Sequence, residues 1–384
     1  MNERKTKCAG SLTWSLEFTF AGIKFAFLGC AVRRAPAPFP PHSTMAQLKE
    51  TLADMIGATF PDVEFAFGYG SGVFPQKGGG AQVLSAIKSS APMVDMVFAV
   101  KDPEAWHSQN LKMNPQHYAL LPRVLGAGAI TTVQQWSAGL YYNTLVPVPS
   151  PYRLGEGQLM KYGVVCKKAL LKDLNEWDTL YCSGRLQKPV SILKSSASMA
   201  KPLESNLQGA LAASVFLLPP NFSELDLYLQ ITSLSYEGDF RMGIAENPNK
   251  IENIVRGNNS LPRFQSLYRP FLDSLVRDKI LLVNVDTGDN RTFQRTGENN
   301  AIASLRKRLP APLHEKVTRA EAAHAPATES PEPTDRIQET TIIKKHLREI
   351  ISRYSRTQTV KGIFTAGVTK SAIYSFQKIL KRFK

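Results

Sequence analysis

An α+β fold is what this sequence of 384 residues predicts, and three patterns predict it. Val63, Phe65 and Phe67 alternate on one face of a strand, and Met93 to Val100 is a nearly unbroken β-branched and aromatic run suited to a buried strand. Leu140 to Val146 and Leu159 to Val165 read as two more strands, and the Pro- and Gly-rich PVPSPYRLGEG between them makes them an antiparallel pair. Helical spacing surrounds these strands. Leu48, Leu52, Met55 and Ile56 follow i, i+4, i+7, i+8 spacing until Pro61 stops the helix, and an Ala- and Leu-rich stretch runs from Leu203 to Leu218.

Each part of the chain then takes its place in order. Residues 1–44 carry six basic residues against Glu3 and Glu17 and end in APAPFPPHS, which reads either as a removable presequence or as an extension ahead of an internal start at Met45. The apolar stretch Leu12 to Val32 is interrupted by Glu17 and Lys24. A charge at mid-membrane costs about 2.5 to 3.5 kcal/mol, so no spanning helix is expected there. A sheet domain is expected over 45–190, and a small, mainly helical second domain over 191–309, where Ser223 and an acidic first turn open a helix to Leu234. Residues 310–340 are dense in Pro, Ala and Glu and read as a disordered linker. The tail 341–384 holds eleven basic residues against Glu349 alone.

That tail accounts for two thirds of a net charge of +15, a balance that favours phosphate-bearing partners or an anionic lipid surface. Four widely spaced cysteines without a CxxC pair suggest neither a zinc site nor a disulfide framework. From Lys370 onward Ile373, Phe376, Leu380 and Phe383 form one apolar stripe flanked by Lys378, Lys381, Arg382 and Lys384. Such an amphipathic helix suits an anionic membrane interface; packing on its own domain, or binding nucleic acid, are the other readings.

The chemistry gathers after the first strand of the sheet domain. Gly68-Tyr69-Gly70-Ser71-Gly72 is followed by a helix-like Ala81 to Lys88 and then by the strand carrying Asp95. Glycines let backbone N–H groups approach phosphate oxygens, although a turn needing φ > 0 would use them equally well. Asp95 adds the second signal, because a carboxylate in an otherwise apolar strand needs a cation.

Polymerase-β-like nucleotidyltransferases share this layout. The strings YGSGVFPQ, VDMVFAV, DPEAWHSQNL, KYGVV, LYCSGRLQKPV, LSYEGDFRM and KGIFTAG, in order from Ala46 to Lys384, resemble the mitochondrial translocator assembly and maintenance family of phosphatidate cytidylyltransferases. The resemblance implies transfer of CMP from CTP to phosphatidic acid, giving CDP-diacylglycerol and pyrophosphate for cardiolipin and phosphatidylglycerol synthesis. It also implies Mg²⁺ and a peripheral position on the matrix side of the mitochondrial inner membrane. For the second domain it implies a winged-helix type.

Site residues follow from these strings. Asp95 is the expected metal ligand, since Mg²⁺ takes carboxylate and phosphate oxygens. The superfamily's second acid position is Val97, which cannot bind a metal, so Asp102 and Asp239 are candidates to compensate. Both also read as turn residues, and Arg241 is a possible partner for Asp239. Tyr69, Gly70, Ser71 and Gly72 are expected at the nucleotide, with Lys161, Arg185 and Lys188 neutralising phosphate and His107 contacting the nucleotide. No Ser-His-Asp or HExxH pattern is present. A nucleotidyltransferase acting on RNA and a non-catalytic assembly factor for protein import are the competing readings.

Overall fold

The computed structural model describes residues 14–20, 23–29, 45–70, 72–74, 93–153, 157–244, 247–257, 259–288, 291–324 and 333–366. Two compact units emerge, Met1–His42 and Ser43–Lys384. In the first, β1 (Trp14–Phe20) pairs antiparallel with β2 (Ile23–Gly29). The aromatic and β-branched content of the two segments favours strands.

The second unit opens with α1 (Met45–Thr59), β3 (Phe65–Tyr69), β4 (Val94–Val100), α2 (Pro103–Met113), α3 (Leu120–Gln135), β5 (Leu140–Pro147), β6 (Leu159–Cys166), α4 (Lys167–Glu176), α5 (Ser183–Leu186) and β7 (Ser191–Lys194). The five strands form one mixed sheet in the order β5-β6-β4-β3-β7, with β4 and β6 parallel and the other pairs antiparallel. Because β7 joins the edge of this sheet, the sheet extends past the boundary expected at residue 190. Alternation along the strands divides the core in two. Leu52, Met55 and Ile56 of α1 bury against Val94, Met96 and Phe98, while Phe67, Val97 and Ala99 bury against Leu170 and Leu174 of α4.

The remainder comprises α6 (Ala200–Leu217), β8 (Asn221–Ser223), α7 (Glu224–Leu234), α8 (Arg241–Ile244), α9 (Lys250–Arg256), α10 (Ser260–Arg277), β9 (Leu281–Asp286), β10 (Arg291–Arg295), α11 (Asn299–Arg306), α12 (Ala311–His324) and α13 (Pro333–Ala366). Its small sheet, β8-β10-β9, sits among helices around a core that includes Leu211, Tyr228, Phe264 and Tyr268. Ser223 caps α7 as expected, in a reciprocal capping box with Asp226.

Two expectations for the C-terminal third are corrected. Residues 311–324 are helical and bury Leu313 and Val317 in that core, so the segment begins as structure rather than as a linker. Ala and Glu are strong helix formers, and two well-placed apolar anchors suffice to dock a helix whose composition is otherwise polar. Likewise Ile343, Leu347 and Ile351 of α13 are buried, so the first half of the expected tail belongs to the protein body. The stripe from Lys370 onward and the expected helix at 81–88 lie outside the described residues. No described helix is long and apolar enough to cross a membrane.

Candidate active site

Strand register assembles the site. Asp95 on β4 stands opposite Tyr69 on β3 and opposite Lys161 on β6, so three predicted residues form one row across three neighbouring strands. With strands about 4.8 Å apart, their side chains rise together from the face that carries Val97. Val97 itself is fully buried against that face's core, and its neighbours in register are Phe67 and Gly163. The usual second acid position is therefore part of the core packing.

The glycine turn presses against this row. Gly70 has φ of 79°, and a Cβ there would stand 3.5 Å from Asp95 Oδ2. At Gly72 a Cβ would fall 2.1 Å from the Met93 carbonyl oxygen, so only glycine lets the loop lie on the start of β4. The Val73 and Phe74 amides donate to the Gly70 carbonyl and close the turn. Ser71 lies outside the described residues.

Aromatic side chains pack against the cations. Lys161 Nζ lies 4.5 Å above the centre of the Tyr142 ring, a position open because Gly163 offers no Cβ to collide with that ring. The Arg185 guanidinium packs on Tyr181 at 3.9 Å and on Tyr69 at 5.2 Å, and donates from Nη1 to the Tyr181 carbonyl at 2.6 Å. Cation–π contact of this kind orients a guanidinium without neutralising it. Burial raises the Tyr69 phenol, and Asp95 adds to the rise against the opposing pull of Arg185 and Lys161. For Tyr181 burial also acts upward, but Arg185 and Lys161 outweigh it and the phenol is lowered. The cluster has the electrostatics of an anion site.

Behind it, one buried carboxylate organises the loop that presents Tyr181 and Arg185. Asp173, in the last turn of α4, accepts from the amides of Thr179, Leu180, Cys182 and Ser183 and from the hydroxyls of Thr179 and Ser183, at 2.8 to 3.0 Å. Sequence reasoning missed Asp173, Tyr142 and Tyr181. The signal for Tyr142 and Tyr181 is present, in the alternation of β5 and in the family-like LYCSGRLQKPV.

Other predicted residues stand elsewhere. Asp102 caps α2, accepting from the amides of Glu104 and Ala105 at 2.9 and 3.1 Å. It lies beyond the opposite end of β4, about 20 Å along the chain from Asp95, which removes it as a shared ligand. His107 faces the other side of the sheet, fully buried between Tyr118 Oη and Gln134 Oε1, each at 2.8 Å. Burial pushes it down to about 4, so it is a neutral structural residue there and not a nucleotide contact. Asp239 is claimed by Arg241, whose Nε and Nη2 hold both carboxylate oxygens at 2.6 to 3.2 Å. Lys188 turns inward to the Gly184 carbonyl and the Ser235 hydroxyl, and burial lowers its pKa well below that of a free lysine. Among the described residues no three His, Cys, Asp or Glu side chains cluster as a metal site.

Comparison with known proteins finds relatives over most of the chain. Residues 52–381 match the family model described as phosphatidate cytidylyltransferase, mitochondrial. A protein of that name from Schizosaccharomyces pombe is 37% identical over 352 residues, covering 87% of this chain and 84% of its own. Its counterpart in Xenopus laevis is 39% identical over 337 residues (85% and 92%), and that of Rattus norvegicus 35% over 354 residues (89% and 96%).

Proposed function

Since the chain belongs to the mitochondrial phosphatidate cytidylyltransferase family, we propose that its Tyr69–Asp95–Lys161 row is where CMP passes from CTP to phosphatidate. The reaction forms a bond from a phosphatidate oxygen to the α-phosphorus of CTP, and breaks the bond from that phosphorus to pyrophosphate. The product is CDP-diacylglycerol. A phosphate monoester is already ionised near neutral pH, so its oxygen attacks without a strong base, and positioning with charge neutralisation dominates the catalysis.

The residues divide that work. Gly70 and Gly72 bring the turn's backbone onto the strand bearing Asp95, where nucleotide phosphates can lie close. Lys161 supplies a point charge and Arg185 a planar fork, both packed on tyrosine rings, for the phosphates of CTP or of the lipid. Tyr69, beside Asp95 in register, walls the row.

A divalent cation fits this donor set on one condition. Mg²⁺ is commonly held by one or two carboxylates together with substrate phosphates and water. Asp95, whose Oδ2 lies beside the Gly70 turn, would supply that one carboxylate, and the nucleotide phosphates and water would supply the remaining oxygens. When bound, Mg²⁺ would neutralise charge developing on the pyrophosphate side. Asp239, salt-bridged to Arg241, would reach it only by giving up that pair.

The observation that carries this reading is one acid and two ring-packed cations on a single sheet face beside a glycine turn. Within mitochondria, we place the enzyme peripherally on the matrix side of the inner membrane, making CDP-diacylglycerol for cardiolipin and phosphatidylglycerol, with the basic segment from Lys370 on the lipid. Purified chain with CTP, Mg²⁺ and phosphatidate vesicles should yield CDP-diacylglycerol and pyrophosphate. Failure to form product while CTP still binds would redirect the proposal to another acceptor.

A further inference from the structure

Helix α3 displays an apolar face that no described residue covers. Leu120, Leu121, Val124 and Leu125 in its first turns, Met113 at the end of α2 and Trp136 just after α3 are each between 53% and 74% exposed. The inward face of the same helix is modest, with Ile130 and Gln134 buried. Gly126, at φ 81° and ψ −177°, breaks the helix after Leu125, so the apolar leading piece is set off from the part that packs on the sheet domain. Exposed clusters of large side chains on this scale mark an interaction surface.

Charge and composition identify its partner. Between Glu104 and Glu156 the sequence contains no carboxylate side chain, and Glu104 itself meets α3 at Gly128, beyond the Gly126 break from Leu120 to Leu125, while Lys112 and Arg123 stand exposed on or beside the patch. Trp136, at one end, is the residue type that prefers a membrane–water boundary. On the same side, Lys361 Nζ donates to the Gln134 and Trp136 carbonyls at 2.8 and 2.7 Å, tying α13 to the end of α3. Beyond α13, residues 367–384 bring five basic residues and no acid. An apolar leading piece, Leu120 to Leu125, that carries no acid and has basic neighbours suits an anionic bilayer better than a protein partner, whose surface would offer carboxylates and complementary polar groups.

We propose that the exposed face of α3, with Met113 and Trp136, is a docking surface for an anionic phospholipid bilayer, additional to the basic C-terminal segment. The proposal rests on the reading that the acceptor is a membrane lipid, because it gives the enzyme a second foothold on the plane where that lipid resides.

The test uses the full chain and its Leu121→Gln/Val124→Gln variant in flotation with phosphatidylcholine vesicles, with and without phosphatidate, in the absence of CTP. Both side chains are exposed, so thermal stability should not change. Vesicle binding should weaken on the order of ten-fold, since two large apolar groups no longer enter the lipid. Arg123→Gln, a milder change, should weaken binding a few-fold and only where phosphatidate is present. Activity on a water-soluble short-chain phosphatidate should persist in both variants.

Unchanged flotation of the double variant would overturn the proposal. If that came with a shift to a smaller oligomer, the face would be a protein interface; if with a lower melting temperature, the chain itself would cover it. The cytidylyltransferase reading fails differently, by absence of product from the parent chain on either substrate, and flotation is read without any turnover.

Discussion

The two faces of the five-stranded sheet each carry a polar cluster, and the contrast between them separates a closed hydrogen-bonded network from the proposed site. On the face behind α2, Tyr162 Oη is met by Asn110, Asn143 and His117 at 2.9 to 3.0 Å, Tyr118 Oη by His107 and Asn110, and Asn114 spans Asn110 and the Thr59 carbonyl. Donors find acceptors within this set of side chains. Such a closed network rigidifies a core. The opposite face sets Asp95 between Tyr69 and Lys161 with Arg185 nearby, and each of the two cations lies over an aromatic ring. For Arg185 the rings of Tyr181 and Tyr69 fix the plane of the guanidinium that the proposed site turns toward phosphate.

Removing the acid from that row gives the largest expected effect. Asp95→Asn should lower CDP-diacylglycerol formation by on the order of 10³-fold while leaving the melting temperature unchanged, as expected for loss of a group that acts on the reacting phosphates. A lower melting temperature with activity retained would move Asp95 into the structural class.

Asp173→Asn comes next, through stability. The amide replaces an acceptor of six hydrogen bonds by one that also carries donors, and should cost about 3 kcal/mol in urea unfolding. At temperatures where the variant remains folded, KM for CTP should rise because the loop bearing Tyr181 and Arg185 loosens. Full stability would mean that the loop holds itself.

Arg185→Lys sharpens the comparison further, since it keeps the charge and removes the planar stack on Tyr181 and Tyr69. A fall in kcat/KM of about ten-fold is expected. Equal activity would show that only net charge matters there.

How much of this is legible without the structure depends on how local each signal is. Strand alternation alone places Asp95 and Val97 on one face, and parallel pairing of β4 with β6 then brings Lys161 to Asp95. The alternation can be read along the chain; the pairing cannot. Asp102 attracts a metal-ligand reading, although Asp-Pro-Glu is a helix N-terminus signature, with a capping carboxylate, Pro at the first helical position and an acid in the first turn. Asp173 gives no sign of its role because its six donors lie six to ten residues downstream in a loop whose course depends on tertiary packing. Composition misleads at 311–324, where Leu313 and Val317 outweigh their polar neighbours once a core exists to receive them.

The smallest effect tests the neutral face. His107 has its folded pKa at about 4, below the ordinary 6.5, because burial disfavours the imidazolium. The unfolded chain therefore takes up a proton as pH falls through 6.5 while the folded chain does not. Stability contributed by the neutral residue is complete above 6.5 and is lost progressively toward 4. Between pH 7 and 5.5 this amounts to about 1 kcal/mol. His346, pushed down to about 4 by burial and by Lys316, adds a contribution of the same sign from α13. Urea unfolding of His107→Gln should show a shallower loss of stability over this range, with CDP-diacylglycerol formation at pH 7 retained because the residue lies on the closed face. A variant that kept the parent's pH slope but lost activity would place His107 in the chemistry, and the two faces would no longer divide as described.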